Sequence, residues 1–474
     1  MTPRNARYEI SRRRFIQAAS VASVAAIAAA CSSKSSDQPG QPSAGSGPET
    51  TFTEPSSQLS GDLSILLWSH FVPLHDEWFD PFAKEWGEKV GVNVTVDHID
   101  VTTIPARISS EVGAGEGHDL IQFIATLSQF EPSVHPMNDL MDEANKRFGK
   151  QVPLCQKSSF NPTTDNYYAY APAWTPDPGD YRKSLWEGVD LPNGPSTWDE
   201  LLEGGGRIFS EQDIQMGLGL SQELDSNMYA RALIWSYGGA EQDTKENVTL
   251  LSDDTIAAVQ YSKDLFDAAM TEEVFAWTPA SNNEGLISGE LSYILNSISA
   301  WRTAQEDIPD IAKDVFFVPA LEGPKAQLAA QHVMYNWIAP KFSTNLDAAQ
   351  EFLLHYTENL ASVTYQSKLY DFPGYLDQVP DLNKWLDEDP FTIEGDDPAK
   401  LQPLKTALDW STNLGHPGPA NPAIGEINGT YLLANMLARV ARGEQTPDQS
   451  VEQTDRECRE IFEKWRNEGL VGGG

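Results

Sequence analysis

Cysteine is nearly absent. The 474 residues hold three, Cys31, Cys155 and Cys458. No Cys-x-x-Cys pair occurs, which excludes a thioredoxin-type redox centre and a zinc ribbon. Basic residues are also short, 33 against 69 acidic, for a formal net charge of −36. A nucleic-acid-binding protein needs a basic footprint and is excluded. There is no phosphate-binding glycine loop, no Gly-x-Ser-x-Gly elbow and no His-Glu-x-x-His helix. His70 and His75 stand five apart on a loop and a helix start, a weak pattern for metal, so no metal or cofactor is expected. Carboxylates are so numerous that no pair stands out as the two flanking groups a glycosidase needs. No enzyme activity is expected. The excess acid reads as a solvated, repulsive surface; a site for a cation or polyamine would require carboxylates clustered in a cleft.

What is present begins with an address. Arg12, Arg13 and Arg14 precede an uncharged stretch, Phe15 to Ala30, built mainly of Ala and Val. That stretch falls short of the roughly 20 strongly apolar residues of a membrane span and has the parts of a secretory signal. Ser11-Arg12-Arg13-Arg14-Phe15-Ile16-Gln17 resembles the twin-arginine export motif. Cys31 follows three alanines, as at a lipoprotein processing site. Residues 31–60 are rich in Ser, Pro, Gly, Gln and Thr and bury too little apolar surface to order themselves, so they read as a disordered tether. The expectation is an exported protein held by lipid on Cys31 at the outer face of the cytoplasmic membrane.

The remainder is too long for one ordinary core and suggests two lobes. Leu63 to Trp68 is a continuous apolar run of the buried-strand kind. Trp78, Phe79, Phe82, Trp86 and Val90 then recur at helical spacing, closed by Gly91, and "VNVTVDHI" alternates as a strand. "DLIQFIA" from Asp119 is another short strand. This order predicts parallel α/β architecture. Farther on, "NYYAYAP" reads as a strand reaching Pro172. "STWDELLEGGG" reads as a helix with a Thr197–Glu200 capping box and a glycine stop, "RALIWSYGGA" as a helix ending at Gly238, and "LSYILNSISAW" as a strand running into Ser299 and Trp301. The last helix starts at Thr446-Pro447 and runs to about Trp465, with Cys458 on its apolar stripe and thus a buried thiol. No internal repeat is present.

Tryptophan is abundant, thirteen residues, and several end strands or helices. Ligands of open α/β sheets bind beyond the carboxyl ends of strands, where an indole stacks on a sugar ring. Trp68, Trp174, Trp235, Trp301 and Trp337 are the candidates.

Several segments in fixed order resemble a family. "FDPFAKEWGEKVGVNVTVDHID", "GEGHDLIQF", Tyr181-Arg182-Lys183-Ser184-Leu185-Trp186 and Ser196-Thr197-Trp198-Asp199-Glu200-Leu201 come first. "WSYGGA", "IAPKFSTNLDAAQEFLLHYT" and "RGEQTPDQSVEQ" follow. Together, over about residues 60–468, the chain is similar to the sugar-binding, maltose-binding-protein-like group (family 1) of extracellular solute-binding proteins of ABC importers. The resemblance implies an α/β, two-lobed periplasmic-binding-protein fold of type II, each lobe a sheet flanked by helices. The expected lobes are 61–169 plus 332–358 and 170–331 plus 359–470, after a signal peptide at 1–30. It places Trp68, Phe123, Thr126, Trp174 and Trp301 near the cleft, although the residues before Trp301, Ile298-Ser299-Ala300, depart from the family pattern. His70, Arg302 and Tyr375 complete the candidate ligand-binding set. The implied partners are a carbohydrate, the permease subunits of an importer and the membrane through Cys31, with no nucleic acid and the protein a monomer. A receptor for a polyamine or other non-sugar solute, or a secreted polysaccharide-acting enzyme, is the alternative. Mass spectrometry of the exported protein should find its N-terminus at a lipid-modified Cys31; an unmodified terminus downstream of residue 31 would exclude the anchor.

Overall fold

The apolar run Leu63–Leu67 forms the middle of a parallel sheet, as its burial on both faces requires. The computed structural model describes residues 47–474; the signal, Cys31 and most of the proposed tether lie outside them. Strand Gly61–Trp68 pairs in parallel with Val92–Ile99 over its whole length and, on its other edge, with Leu120–Phe123. The helix between the first two strands, Pro73–Val90, buries Trp78, Phe79, Phe82 and Trp86, the stripe predicted from spacing. It stops at Gly91, whose φ of 80° suits glycine. Strand Asn336–Ile338 returns more than 200 residues later to close this sheet, antiparallel to Leu120–Phe123.

A second sheet has the order Val315–Val318, Gly179–Arg182, Leu291–Leu295, Gln215–Gly217. The first three run antiparallel to their neighbours, and Gln215–Gly217 lies parallel to Leu291–Leu295. Between the two sheets the chain makes three short strands that pair with one another. Ala173–Thr175 is central, with Val333–Met334 and Phe372–Pro373 antiparallel on either side, so that Trp174 stands opposite both Met334 and Phe372. The two sheets with their helices form two lobes, joined through this small sheet.

Two local readings need correction. Helix Trp198–Gln212 does not stop at its glycines. Gly204 and Gly205 are buried mid-helix because a Cβ there would approach Trp186 to 2.5 Å and Met216 to 2.4 Å. Thr197 does cap the helix, accepting from the Glu200 N–H at 3.0 Å, but the Glu200 carboxylate turns to Ser196. Trp301 is not at a strand end: the strand closes at Leu295 and a helix, Ser299–Asp307, carries the indole.

The final helix, Pro447–Asn467, starts with the Thr446 cap and a complete capping box with Gln449. Cys155 and Cys458 are free, buried thiols. Among the described residues no helix is long and apolar enough to cross a membrane.

Trp337 is wholly buried, its ring 5.6–6.5 Å from those of Phe79, Phe352 and Tyr356. It is thus core of the first lobe. Trp337→Ala should cost about 3–5 kcal/mol in denaturant unfolding; a loss below about 1 kcal/mol would contradict this packing.

Candidate functional site

The parallel strands of the first sheet end on the side facing the second lobe. Beyond Trp68 the chain presents Phe71, and beyond Phe123 it presents Ile124 and Ala125. Opposite them stand Leu224, Asp225 and Met228 at the start of helix Leu224–Tyr237, Asn296 just past strand Leu291–Leu295, and Ser299 at the next helix start. Gln331 and His332, on the approach to a crossing strand, form the floor. Two adjoining cavities share Ile124, Leu224, Met228 and His332, and each leaves only about 10 Å³, room for a single water. An apolar seam, Ile124 and Ala125 against Leu224 and Met228, therefore closes the gap between the lobes.

Polar contacts hold the same seam at its side. Ser128 Oγ donates to the Asn421 carbonyl at 2.8 Å, and the Tyr168 O–H is shared between the Ser158 carbonyl at 2.5 Å and the Ala420 carbonyl at 3.0 Å. Helix Pro422–Gly429 follows, and its Asn428 accepts from Asn227 and from Arg231 of helix Leu224–Tyr237. The 420–428 segment thus straps the two lobes together.

The electrostatics of the seam are one-sided. Asp225 lines the cavity and accepts from Asn282 Nδ2 at 2.8 Å. Glu223 caps the helix, accepting from the backbone N–H groups of Asp225 and Ser226. Asp177 Oδ1 lies 2.9 Å from His332 Nδ1, while its Oδ2 has no partner. Asp180 is fully buried, and neither of its oxygens has a partner. Among the described residues, no lysine or arginine lines either cavity. Burial raises the carboxyl of Asp180 well above its usual range, and the nearby charge of Asp177 adds to this. Burial and then Glu223 do the same for Asp225. For His332, burial opposes protonation, but the Asp177 hydrogen bond and the charges of Asp177 and Asp225 outweigh it and raise its pKa.

Beside the seam, His70, His75 and Asp371 bring three ligand-type atoms within 4.8 Å of one another. The two imidazoles lie stacked, centroids 4.3 Å apart and planes 22° from parallel. Their in-plane lone pairs run side by side and do not converge on one ion. The cluster works as a hydrogen-bonded network: His70 Nε2 meets Asp371 at 3.1 Å and Tyr335 at 3.2 Å.

Of the residues singled out in the sequence, none lines the two cavities. Trp68 and His70 form the layer behind Phe71, with Trp68 4.9 Å from the Phe71 ring and its Nε1 donating to Gln122. Phe123 and Thr126 flank Ile124 and Ala125, and Thr126 Oγ1 bonds to Ser128 and Tyr168. Trp174 belongs to the crossing sheet. Trp301 is turned inward, donating to the Ala312 carbonyl at 3.2 Å under the Arg302 guanidinium, which itself pairs with Asp389 at 2.7 Å. Trp235 donates to the buried Glu241, partner of Arg231. Trp337 packs in the first lobe, and Tyr375 packs against Tyr170 and Phe148. An indole has more apolar surface to bury than any other side chain, and here burial in core won. The residues that do line the gap follow the rule of strand carboxyl ends. Phe71 and Asn296 were findable by it; His332 and Asp225 carry no local signal.

The bacterial extracellular solute-binding protein model matches residues 73–361. The chain belongs to that family. No curated protein matches it. Solved structures share the fold. An ABC transporter solute-binding protein from Thermotoga lettingae TMO, bound with alpha-D-tagatose, is 17% identical with a TM-score of 0.70, over 85% of this chain and 99% of that one. Maltose-bound T. maritima MalE3 gives 17% and 0.70, over 85% and 100%. A sugar transporter protein from Arthrobacter chlorophenolicus A6 with bound laminaribiose gives 17% and 0.69, over 85% and 99%. The two-lobed solute-binding-protein fold expected from the sequence is thereby established.

Glu223 yields a pH test. Burial raises its carboxyl to about 6 against hydrogen bonds from Ser226 and from the Asp225 and Ser226 N–H groups. A raised folded-state value means the protonated form is favoured on folding. That contribution is complete below the unfolded value near 4.5 and is lost as pH rises through about 6. The melting temperature of the wild type relative to Glu223→Gln should therefore fall between about pH 4.5 and 6 and level off above; parallel pH profiles would contradict the assignment.

Proposed function

We propose that this solute-binding protein is the extracytoplasmic capture component of an ABC importer for carbohydrate, an oligosaccharide in the first instance. It is proposed to act as a monomer that delivers its ligand to membrane permease subunits. The lobes expected from the sequence, 61–169 plus 332–358 and 170–331 plus 359–470, then hinge about the crossing strands, and the lipid on Cys31 keeps the protein near its permease. The role is binding rather than catalysis.

One observation carries the reading. The gap at the strand ends is lined from both lobes and from a crossing segment, with an aromatic face, Phe71, and neutral amides and a hydroxyl, Asn283, Asn296, Gln331 and Ser299. An aromatic face suits the C–H surface of a sugar ring, and amides suit its hydroxyls. The sugars in the similar structures from Thermotoga and Arthrobacter support the same class. Ligand pockets run to about 300–1,000 Å³, far above the present cavities of about 10 Å³ each. Capture therefore needs the lobes to part, with the ligand taking over the contacts of the apolar seam. Trp68, His70, Phe123, Thr126 and Trp174 are proposed to act from behind the contact layer.

A thermal-shift screen over mono- and oligosaccharides should give stabilisation of about 3 kcal/mol at a hundredfold excess over Kd. Phe71→Ala should then weaken the responding sugar at least about tenfold, the order of one lost stacking contact, with the ligand-free melting temperature little changed. Absence of any response across the panel would overturn the carbohydrate assignment.

A further inference from the structure

The acidic seam departs from what a neutral sugar requires. Asp225 lines the cavity, Asp177 reaches it through His332, Glu223 sits under the same helix start, and Asp180 is fully buried behind them. Beside these four acids His332 is, among the described residues, the one basic side chain lining the cavities. Buried acceptors without a partner are Gln331 Oε1 on the cavity wall and, behind it, Asp177 Oδ2 and both oxygens of Asp180, on side chains at most 3% exposed; the Tyr293 hydroxyl near the two acids is also without a partner. Buried acceptors left without donors are costly and uncommon in folded proteins. Arg182, on the same strand as Asp180, pairs with Asp314, Arg231 with Glu241 and Arg302 with Asp389. Burial holds Asp180 and Asp225 toward the neutral acid while no cation answers them; a ligand that brings donors and a positive charge restores the carboxylate and gains from it.

A metal ion does not fit this demand. Among the described residues, only His70, His75 and Asp371 bring three ligand-type atoms within 4.8 Å of one another. The seam carboxylates are too dispersed to close on one ion. A protonated amine, with three N–H donors and a charge carried by a larger molecule, matches a mostly buried carboxylate backed by further acids. The amides and Phe71 remain available to the rest of that molecule.

We infer that the ligand carries a protonated amine seated against Asp225, with Asp177 and Asp180 as further acids behind it. This inference rests on the carbohydrate reading for the form the ligand takes, an amino sugar-bearing oligosaccharide. Polyamines present the same ammonium without the sugar, and the experiment separates the two sources.

Titration calorimetry on the full chain should compare glucosamine dimers and trimers with their N-acetylated forms and with glucose oligomers of equal length; putrescine and spermidine form a separate arm. Glucosamine oligomers should bind at least about tenfold tighter than either neutral series, an ordinary worth for one buried charge-assisted contact. Asp225→Asn, which keeps the shape and an acceptor, should reduce that preference to about twofold or less, and Phe71→Ala should weaken charged and neutral oligomers alike. Equal binding of charged and neutral oligomers, or a preference that survives Asp225→Asn, would overturn the inference and leave the carbohydrate reading standing. Binding of spermidine with no oligosaccharide response would support ammonium recognition and overturn the carbohydrate reading. A ligand-free melting temperature of Asp225→Asn within a few degrees of wild type shows that lost preference is not lost folding.

Discussion

The joint between the lobes rests on three short strands that pair with one another. Ala173–Thr175 takes hydrogen bonds from both Val333–Met334 and Phe372–Pro373, so each passage of the chain between lobes is tied to the others. Backbone groups buried at such a joint must find partners, and here they find them in the other crossings. The consequence is a joint that restricts where the two lobes meet. The carboxyl ends of the first sheet's strands and the starts of helices Leu224–Tyr237 and Ser299–Asp307 therefore face each other across one gap. Every group in the candidate site owes its position to that restriction.

Closure is held by two unlike forces. Ile124 and Ala125 against Leu224 and Met228 exclude water, and the Ser128–Asn421 and Tyr168–Ala420 hydrogen bonds fasten the edge. Beneath them lie Asp177, Asp180, Glu223 and Asp225, whose burial favours the uncharged acid. A seam that is apolar at its contacts is held closed by dispersion and hydrophobic burial, and the acids beneath it ionise at a cost unless a cation answers them. A ligand that replaces the seam contacts and also answers the charge gains on both counts, which gives closure a reason to depend on the ligand's chemistry.

Much of the fold was legible because its signals are local. The Trp78–Phe79–Phe82–Trp86 stripe, the glycine at 91 and the Thr446-Pro447 start each follow from a few neighbouring residues. The order of motifs along the chain carried the two-lobed architecture. What failed was of a different kind. Gly204-Gly205-Gly206 looked like a stop, but the requirement for Trp186 and Met216 to pack closely overrode helix propensity. Trp235, Trp301 and Trp337 looked like stacking platforms, yet all three are buried; Trp235 and Trp301 donate to Glu241 and the Ala312 carbonyl, and Trp337 packs among aromatic rings. His332 and Asp177 are 155 residues apart, so nothing local could pair them. The chain's acidity was legible only as a total; that part of it gathers in the gap is a property of the fold.

On the proposed function, the lobes part to admit ligand and close upon it. Spin labels at Glu116 and Asp310, exposed positions on the first and second lobes, would report their separation by pulsed electron resonance. The account predicts a long or mixed distance distribution without ligand that collapses to one shorter distance when a binding oligosaccharide saturates the protein. A single distance, the same with and without that oligosaccharide, would contradict it.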